Sequence, residues 1–235
     1  MPTVAYLIHD AELGQVEVCP DSRARRFIFR VRDGVLRATV PTSATPADVR
    51  RAIDSLRPRL GNALQRCPVR HIDLDYGIHT DLFDFTLALG AGTRFCVAAT
   101  PDGTVLRCPP GTDFDDPALQ DWLQKVVVRL LRRVAGQVLP PRLDRLARRH
   151  GLTYTGVRIG SSRSRWGSCS AQGSINLSCF LLKLPARLVD YVLLHELAHT
   201  REMNHGPRFH ALLDRITDGQ AAACEAEIKR YGTGL

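Results

Sequence analysis

The stretch LPARLVDYVLLHELAHTREMNHGPRFHALL, residues 184–213, decides how this chain is read. Pro185 can open a helix, and the apolar periodicity after it predicts a helix running from there to about Met203. Within it lies HELAH, residues 195–199. Two histidines four apart stand one above the other on a helical face, so both imidazoles can reach one cation at about 2.0–2.1 Å. Glu196 stands beside the first of them. It can reach a water on that cation without displacing it, the arrangement used in metal-assisted hydrolysis. With 8 His and 6 Glu in 235 residues, chance supplies roughly 0.007 matches to HExxH. No other glutamate occurs between Glu17 and Glu196. The plainer alternative is that Leu188, Val192, His195 and His199 form a core stripe with hydrogen-bonded histidines.

A catalytic zinc usually has three protein ligands and one open position. His205, six residues after His199, is the favoured third ligand. On a continuing helix six residues rotate by about 600° and would turn His205 away, so the chain must leave the helix first. Asn204, Gly206 and Pro207 are the residues that stop one helix and start another. His210 is the runner-up, on a helix beginning at Pro207 whose apolar face (Phe209, Leu212, Leu213, Ile216) is expected in the core. The spacing equals that of the metzincins, HExxHxxGxxH, but Glu202 occupies the glycine position and no Met follows Met203, so that family is rejected.

Upstream the pattern differs. Residues 26–40 alternate apolar and basic side chains around Asp33-Gly34, a β-hairpin signal. A short helix follows, capped near Thr45-Pro46 and with Pro58 near its exit. Strands are expected at 81–89, 94–99 and 105–107. From about residue 117 the period changes to 3.6, with Leu119, Trp122, Val126, Leu130 and Val134 on one face and a break at Pro140-Pro141. A second helical piece ends at His150-Gly151. TYTGVRIG and SINLSC read as strands flanking a loop, SSRSRWGSCSAQG, and two short helices close the chain. No internal repeat is seen. The expected organisation is α+β: a β-rich N-terminal domain, 1–116, followed by a helical catalytic domain, 117–235.

Composition excludes several classes. The chain is 44% hydrophobic and 24% charged, an ordinary globular mixture. Its longest apolar runs fall far short of the roughly 18–20 residues a membrane span needs, and the N-terminus carries no secretory pattern. Seven cysteines without a CxxC pair suggest reduced thiols and a cytoplasmic protein. The net charge of +8 is concentrated in residues 125–150. There Arg129, Arg132, Arg133, Arg142, Arg145, Arg148 and Arg149 could contact a nucleotide or nucleic acid, although a solvated helix face is the commoner fate of such residues. No aromatic residues interleave with them, as single-strand stacking would require.

The run SRSRWGSCSAQGSINLSCFLLKLPARLVDYVLLHELAHTREMNHGPRFHALL, residues 162–213, resembles the YgjP-like metal-dependent hydrolases, relatives of the SprT-like and WLM zinc metallopeptidases. The likeness is specific from about Val157 to Leu213, looser over the hairpin and the basic helix, and weakest from about Asn62 to Pro117. It implies a zincin-like α+β fold, His195, His199 and His205 as zinc ligands, and Glu196 as general base. It also implies that RWGSC and the strand carrying Ile175 and Asn176 lie beside the site, which makes Arg165, Trp166 and Asn176 candidate substrate contacts. Arg165, Arg208, His210 and Tyr191 are candidates for stabilising an oxyanion. The expected function is zinc-dependent hydrolysis of protein or peptide. Hydrolysis of a nucleotide phosphoanhydride is one alternative. The other is an SprT-like nucleic-acid module with structural zinc, against which a three-His set with an open position argues.

Overall fold

A computed structural model describes residues 4–32, 34–65, 71–232 and 235. The chain is α+β and divides into two compact units, residues 1–70 and residues 71–233.

In the first unit four strands, β1 (Tyr6–Asp10), β2 (Gly14–Pro20), β3 (Ile28–Arg32) and β4 (Val35–Val40), precede helix α1 (Pro46–Gln65). The sheet order is β1-β2-β4-β3, with β2 and β4 parallel and both hairpins antiparallel. Arg32 pairs with Val35 in the antiparallel register of β3 and β4; Asp33, half of the expected Asp-Gly turn, lies outside the described residues. Val16, Val18, Leu36, Ala38 and Val40 point from the sheet to Val49, Ile53 and Leu60 of α1. Thr45 and Asp48 cap the helix reciprocally, Thr45 N–H donating to Asp48 and Asp48 N–H to the Thr45 hydroxyl. Contrary to the expected exit at Pro58, the helix runs seven residues beyond it, because the apolar face continues to Leu60 and packing outweighs one lost hydrogen bond.

Arg57 of α1 grips Asp10 at the end of β1 through two hydrogen bonds of 2.8 and 3.0 Å. That guanidinium, helped by the Leu13 N–H, holds the Asp10 carboxyl down at about 2. Its folded pKa is below its unfolded value of about 3.9, so the stabilisation is complete above about pH 5 and is lost as pH falls through about 2. The stability gap between the native protein and Asp10→Asn in denaturant melts is therefore expected to narrow between pH 5 and pH 2. A gap that stays constant across that range would contradict the pairing.

In the second unit β5 (Gly77–Thr80), β6 (Phe83–Leu89), β7 (Cys96–Thr100) and β8 (Gly103–Cys108) repeat the same plan, order β5-β6-β8-β7 with β6 and β8 parallel, again followed by a helix, α2 (Pro117–His150). The repetition lies in topology and leaves no repeat in sequence. The expected boundary at 116/117 marks where hydrophobic periodicity changes, not where the chain divides. Phe83, Phe85, Leu87 and Leu106 of this second sheet share one core with Leu123, Leu131 and Leu139 of α2.

Helix α2 continues through Pro140-Pro141, where the sequence predicts a break. The carbonyls that lose their donors belong to Gly136 and Gln137, both exposed to water, while Leu139 and Leu143 anchor either side in the core. Its buried stripe is Leu123, Val127, Leu131, Ala135, Leu139 and Leu143, one residue round from the expected face, and Trp122 is 40% exposed. The run VVVRLL is apolar on two sides, so periodicity alone does not choose between them. Gly151, in the left-handed region at φ 63°, closes the helix.

A third sheet follows, β9 (Gly156–Gly160), β10 (Gly167–Cys169) and β11 (Ser174–Ser178), in the order β10-β11-β9. The expected loop between the flanking strands thus contains an edge strand. A 3₁₀ turn, Cys179–Lys183, leads to α3 (Ala186–Ala198), and α4 (Pro207–Ile216) and α5 (Ala221–Ile228) complete the unit. No helix among the described residues is long and apolar enough to cross a membrane. Cys19, Cys96, Cys108, Cys169, Cys179 and Cys224 are free thiols.

Candidate metal centre

Helix α3 is almost wholly buried; Leu188, Val189, Val192, Leu193 and Leu197 lie in the core. Arg142 of α2 clamps it by pairing with Asp190, one bond at 2.8 Å, so the most buried arginine of the basic helix is structural. Arg129, Arg132, Arg133, Arg145, Arg148 and Arg149 stay exposed.

The helix stops at Ala198, five residues earlier than the sequence pattern suggests, and His199 is its C-cap. The chain then tightens: Thr200 N–H donates to Leu197 O, and both Arg201 and Glu202 N–H groups donate to Ala198 O. This early exit brings His205 back towards the helix end. His195 Nε2 lies 3.2 Å from His199 Nε2 and 3.3 Å from His205 Nε2. The three ligand atoms all fall within 4.8 Å of one another. Bonds of 2.0–2.1 Å around a tetrahedral ion give ligand–ligand edges of about 3.3–3.4 Å, so the two separations from His195 fit such an ion.

Electrostatics favour neutral imidazoles at His195 and His199. Burial, then the neighbouring His199 and His205, pull the His195 imidazole down to about 4. Burial likewise lowers His199, whose Nδ1 meets the Glu202 carbonyl at 3.1 Å, a contact that orients Nε2 towards the cluster.

Glu196 is 5% exposed, and its Oε2 has no hydrogen-bond partner. Burial pushes its carboxyl up to about 7, and the charge of Arg165 works against that shift. Strand β10 runs directly over it: a Cβ on Gly167 would stand 2.6 Å from Glu196 Oε1 and 2.7 Å from its Cγ. Only glycine lets the strand lie this close. Cys169 shares that face, its thiol pushed up by burial and then by the Glu196 charge.

Of the candidate contacts, Arg165 is exposed and near enough for its charge to act on Glu196. Trp166 is partly buried against the core, and its carbonyl accepts from Ser178 N–H at 2.8 Å. Asn176 is exposed and pairs in register with Ser168 and Arg158. Side chains alternate across a strand, so this row faces away from the side on which Gly167 meets Glu196. The structure does not bring Asn176 to the imidazoles.

Tyr191 is buried with its ring 6.1 Å from His195, and burial pushes its hydroxyl up to about 12. Arg208 and His210 are exposed. His210 lies outside the three-histidine group, next to Phe209.

Two residues at the centre escape sequence reasoning. Gly167 carries a signal, a glycine between strand-forming residues, which often marks a close approach. Phe209 reads only as core; nothing in its periodicity distinguishes it from Leu213.

The family model described as YgjP-like, metallopeptidase domain, matches residues 25–231. Among solved structures, the metallopeptidase zymogen abylysin of Pyrococcus abyssi matches at 26% identity over 37% of this chain and 87% of its own, with a TM-score of 0.34, a superposition too loose to bear on the fold. No curated protein matches the chain.

Proposed function

This chain belongs to the YgjP-like metallopeptidase family, and from that premise we propose that it is a zinc-dependent peptidase whose ion is held by His195, His199 and His205, with Glu196 as general base. The observation that carries the reading is the gathering of three imidazoles, with Nε2–Nε2 separations of 3.2 and 3.3 Å from His195 to the other two, next to a buried glutamate with one unpartnered oxygen. Zinc bound there supplies a Lewis acid and a water with a pKa near 7. A set of three protein ligands would leave room for that water, unlike structural zinc sites with four protein ligands.

The chain's own part is to hold and move a proton. Glu196 is packed under β10, where a Cβ on Gly167 would stand 2.6 Å from Oε1, and its unpartnered Oε2 would accept a proton from the attacking water. The same oxygen then returns the proton to the leaving amine nitrogen. Arg165, by its nearness to Glu196, is the candidate donor to the developing oxyanion. The same guanidinium favours one second reading, hydrolysis of a nucleotide phosphoanhydride, because it would also pair with a phosphate.

The deciding experiment is a turnover screen of zinc-loaded protein against casein-like proteins, peptides and nucleoside triphosphates, with Glu196→Gln as control. Cleavage of peptide bonds that disappears in the variant supports the proposal; nucleotide turnover alone would replace it with the second reading. Gly167→Ala tests the strand contact. The added methyl must push Glu196 or β10 aside, and a displacement near 1 Å is expected to lower kcat by about 100-fold. Zinc content should be unchanged. A fully active Gly167→Ala enzyme would show that the close packing over Glu196 is incidental.

A further inference from the structure

We propose that Phe209 is a positioning residue for the metal centre: its ring is the common surface against which all three imidazoles are held with their Nε2 atoms converging. The inference rests on the metal-site reading above. Phe209 is the third residue of α4 and only 1% exposed. Its ring centroid lies 5.0 Å from that of His195, 4.5 Å from that of His199 and 4.7 Å from that of His205. His199 lies nearly parallel to it, at 27°, while His195 and His205 present their edges at 72° and 73°. These are the stacked and edge-to-face arrangements that aromatic rings prefer.

The three histidines stand in different backbone settings, the last turn of α3, its C-cap and the irregular connector to α4, so no regular element orients them together. A metal-ligating imidazole is normally oriented by a hydrogen bond at its second ring nitrogen. His199 has one, from Nδ1 to the Glu202 carbonyl at 3.1 Å. Among the described residues no protein acceptor holds Nδ1 of His195 or His205. Packing must set those two rings, and Phe209 is, among the described residues, the one side chain outside the triad in ring contact with all three. The Pro207 start of α4 delivers that ring two residues later, so the turn that frees His205 also brings in the surface it rests on. A leucine would fill much of the same volume without offering a flat face.

The test uses the full-length protein. Zinc affinity of the native protein, Phe209→Leu, Phe209→Tyr and Leu213→Ala is measured by competition with a chromophoric chelator, alongside the visible spectrum of each cobalt(II)-substituted form and the melting temperature of each metal-free form. Leu213 is buried on the same helix but has no part in the histidine cluster, so its truncation reports general loss of core. Phe209→Leu is expected to bind zinc about 10- to 100-fold more weakly, with an altered cobalt spectrum. Leu213→Ala, though less stable, should keep both native values, and Phe209→Tyr, which retains the ring, should bind close to the native affinity. Native affinity and spectrum in Phe209→Leu would overturn the role of Phe209 while leaving the metal site intact; so would a tyrosine variant as weak as the leucine one. A native protein that takes up no zinc at all would overturn the site reading itself.

Discussion

Glu196→Gln is expected to lower peptide-bond turnover by about 100- to 10,000-fold, the usual contribution of a general acid–base residue, while zinc stays stoichiometric. The change is nearly isosteric, so the 5% exposed side chain keeps its place beneath β10. What disappears is the proton-accepting oxygen, and little else is lost, since Oε2 makes no hydrogen bond that could stabilise the fold. A buried carboxylate with a free oxygen is costly to maintain, and its presence beside three imidazoles is the strongest local sign that a reaction needs it. The loss should appear in kcat, because Glu196 acts on the proton and not on the rest of the substrate. A Glu196→Gln protein with native turnover would end the general-base assignment, whatever its metal content.

The second large effect is loss of metal from single histidine variants. Zinc binding worth about 10–16 kcal/mol in four-ligand peptide sites comes to roughly 2.5–4 kcal/mol per ligand, so each of His195→Ala, His199→Ala and His205→Ala should weaken zinc by about 100- to 1,000-fold. His199 should matter at least as much as the others, being 8% exposed and already oriented by the Glu202 carbonyl. His205 is the informative case. It is exposed and sits on an irregular connector, so its removal costs little folding energy and reports ligation almost alone. His210→Ala, outside the cluster, should leave zinc bound. Metal content and affinity of the four purified variants check this directly, and retained affinity in His205→Ala would return the third position to His210.

Much of the centre is legible in the sequence. The spacing of His195 and His199, the glutamate between them and the Asn-His-Gly-Pro punctuation at 204–207 are local patterns, and local patterns are what helix geometry and turn chemistry act upon. Helix rotation requires the chain to leave α3 before His205, and it does; the point of exit is what the pattern misplaces. Periodicity extends the helix to Met203, yet it ends at Ala198, because the apolar face gives out after Leu197 and Ala198, and Met203, the one apolar side chain from Thr200 to Asn204, is left 46% exposed.

The differences elsewhere have the same origin. Pro58, Pro140 and Pro141 are stop signals by local chemistry, but each sits in a helix whose apolar residues continue on both sides, and burying those residues outweighs the missing donors. Likewise the boundary expected at 116/117 follows a change of period, whereas the compact units follow which side chains share a core. Asn176 lies in an expected strand, yet its neighbours across β10 and β9 put it on the outward row.

By itself, then, the order of residues determined the donor types, their helical spacing, the turn that follows and hence the chemistry open to the chain, since these depend on bonds and torsions within a few residues. Only the tertiary structure decided that Phe209 underlies all three imidazoles, that Gly167 lets a strand close over Glu196, and that the second four-stranded sheet shares a core with α2. Those facts depend on contacts between segments distant in the chain, and such contacts are chosen by the packing of the whole unit.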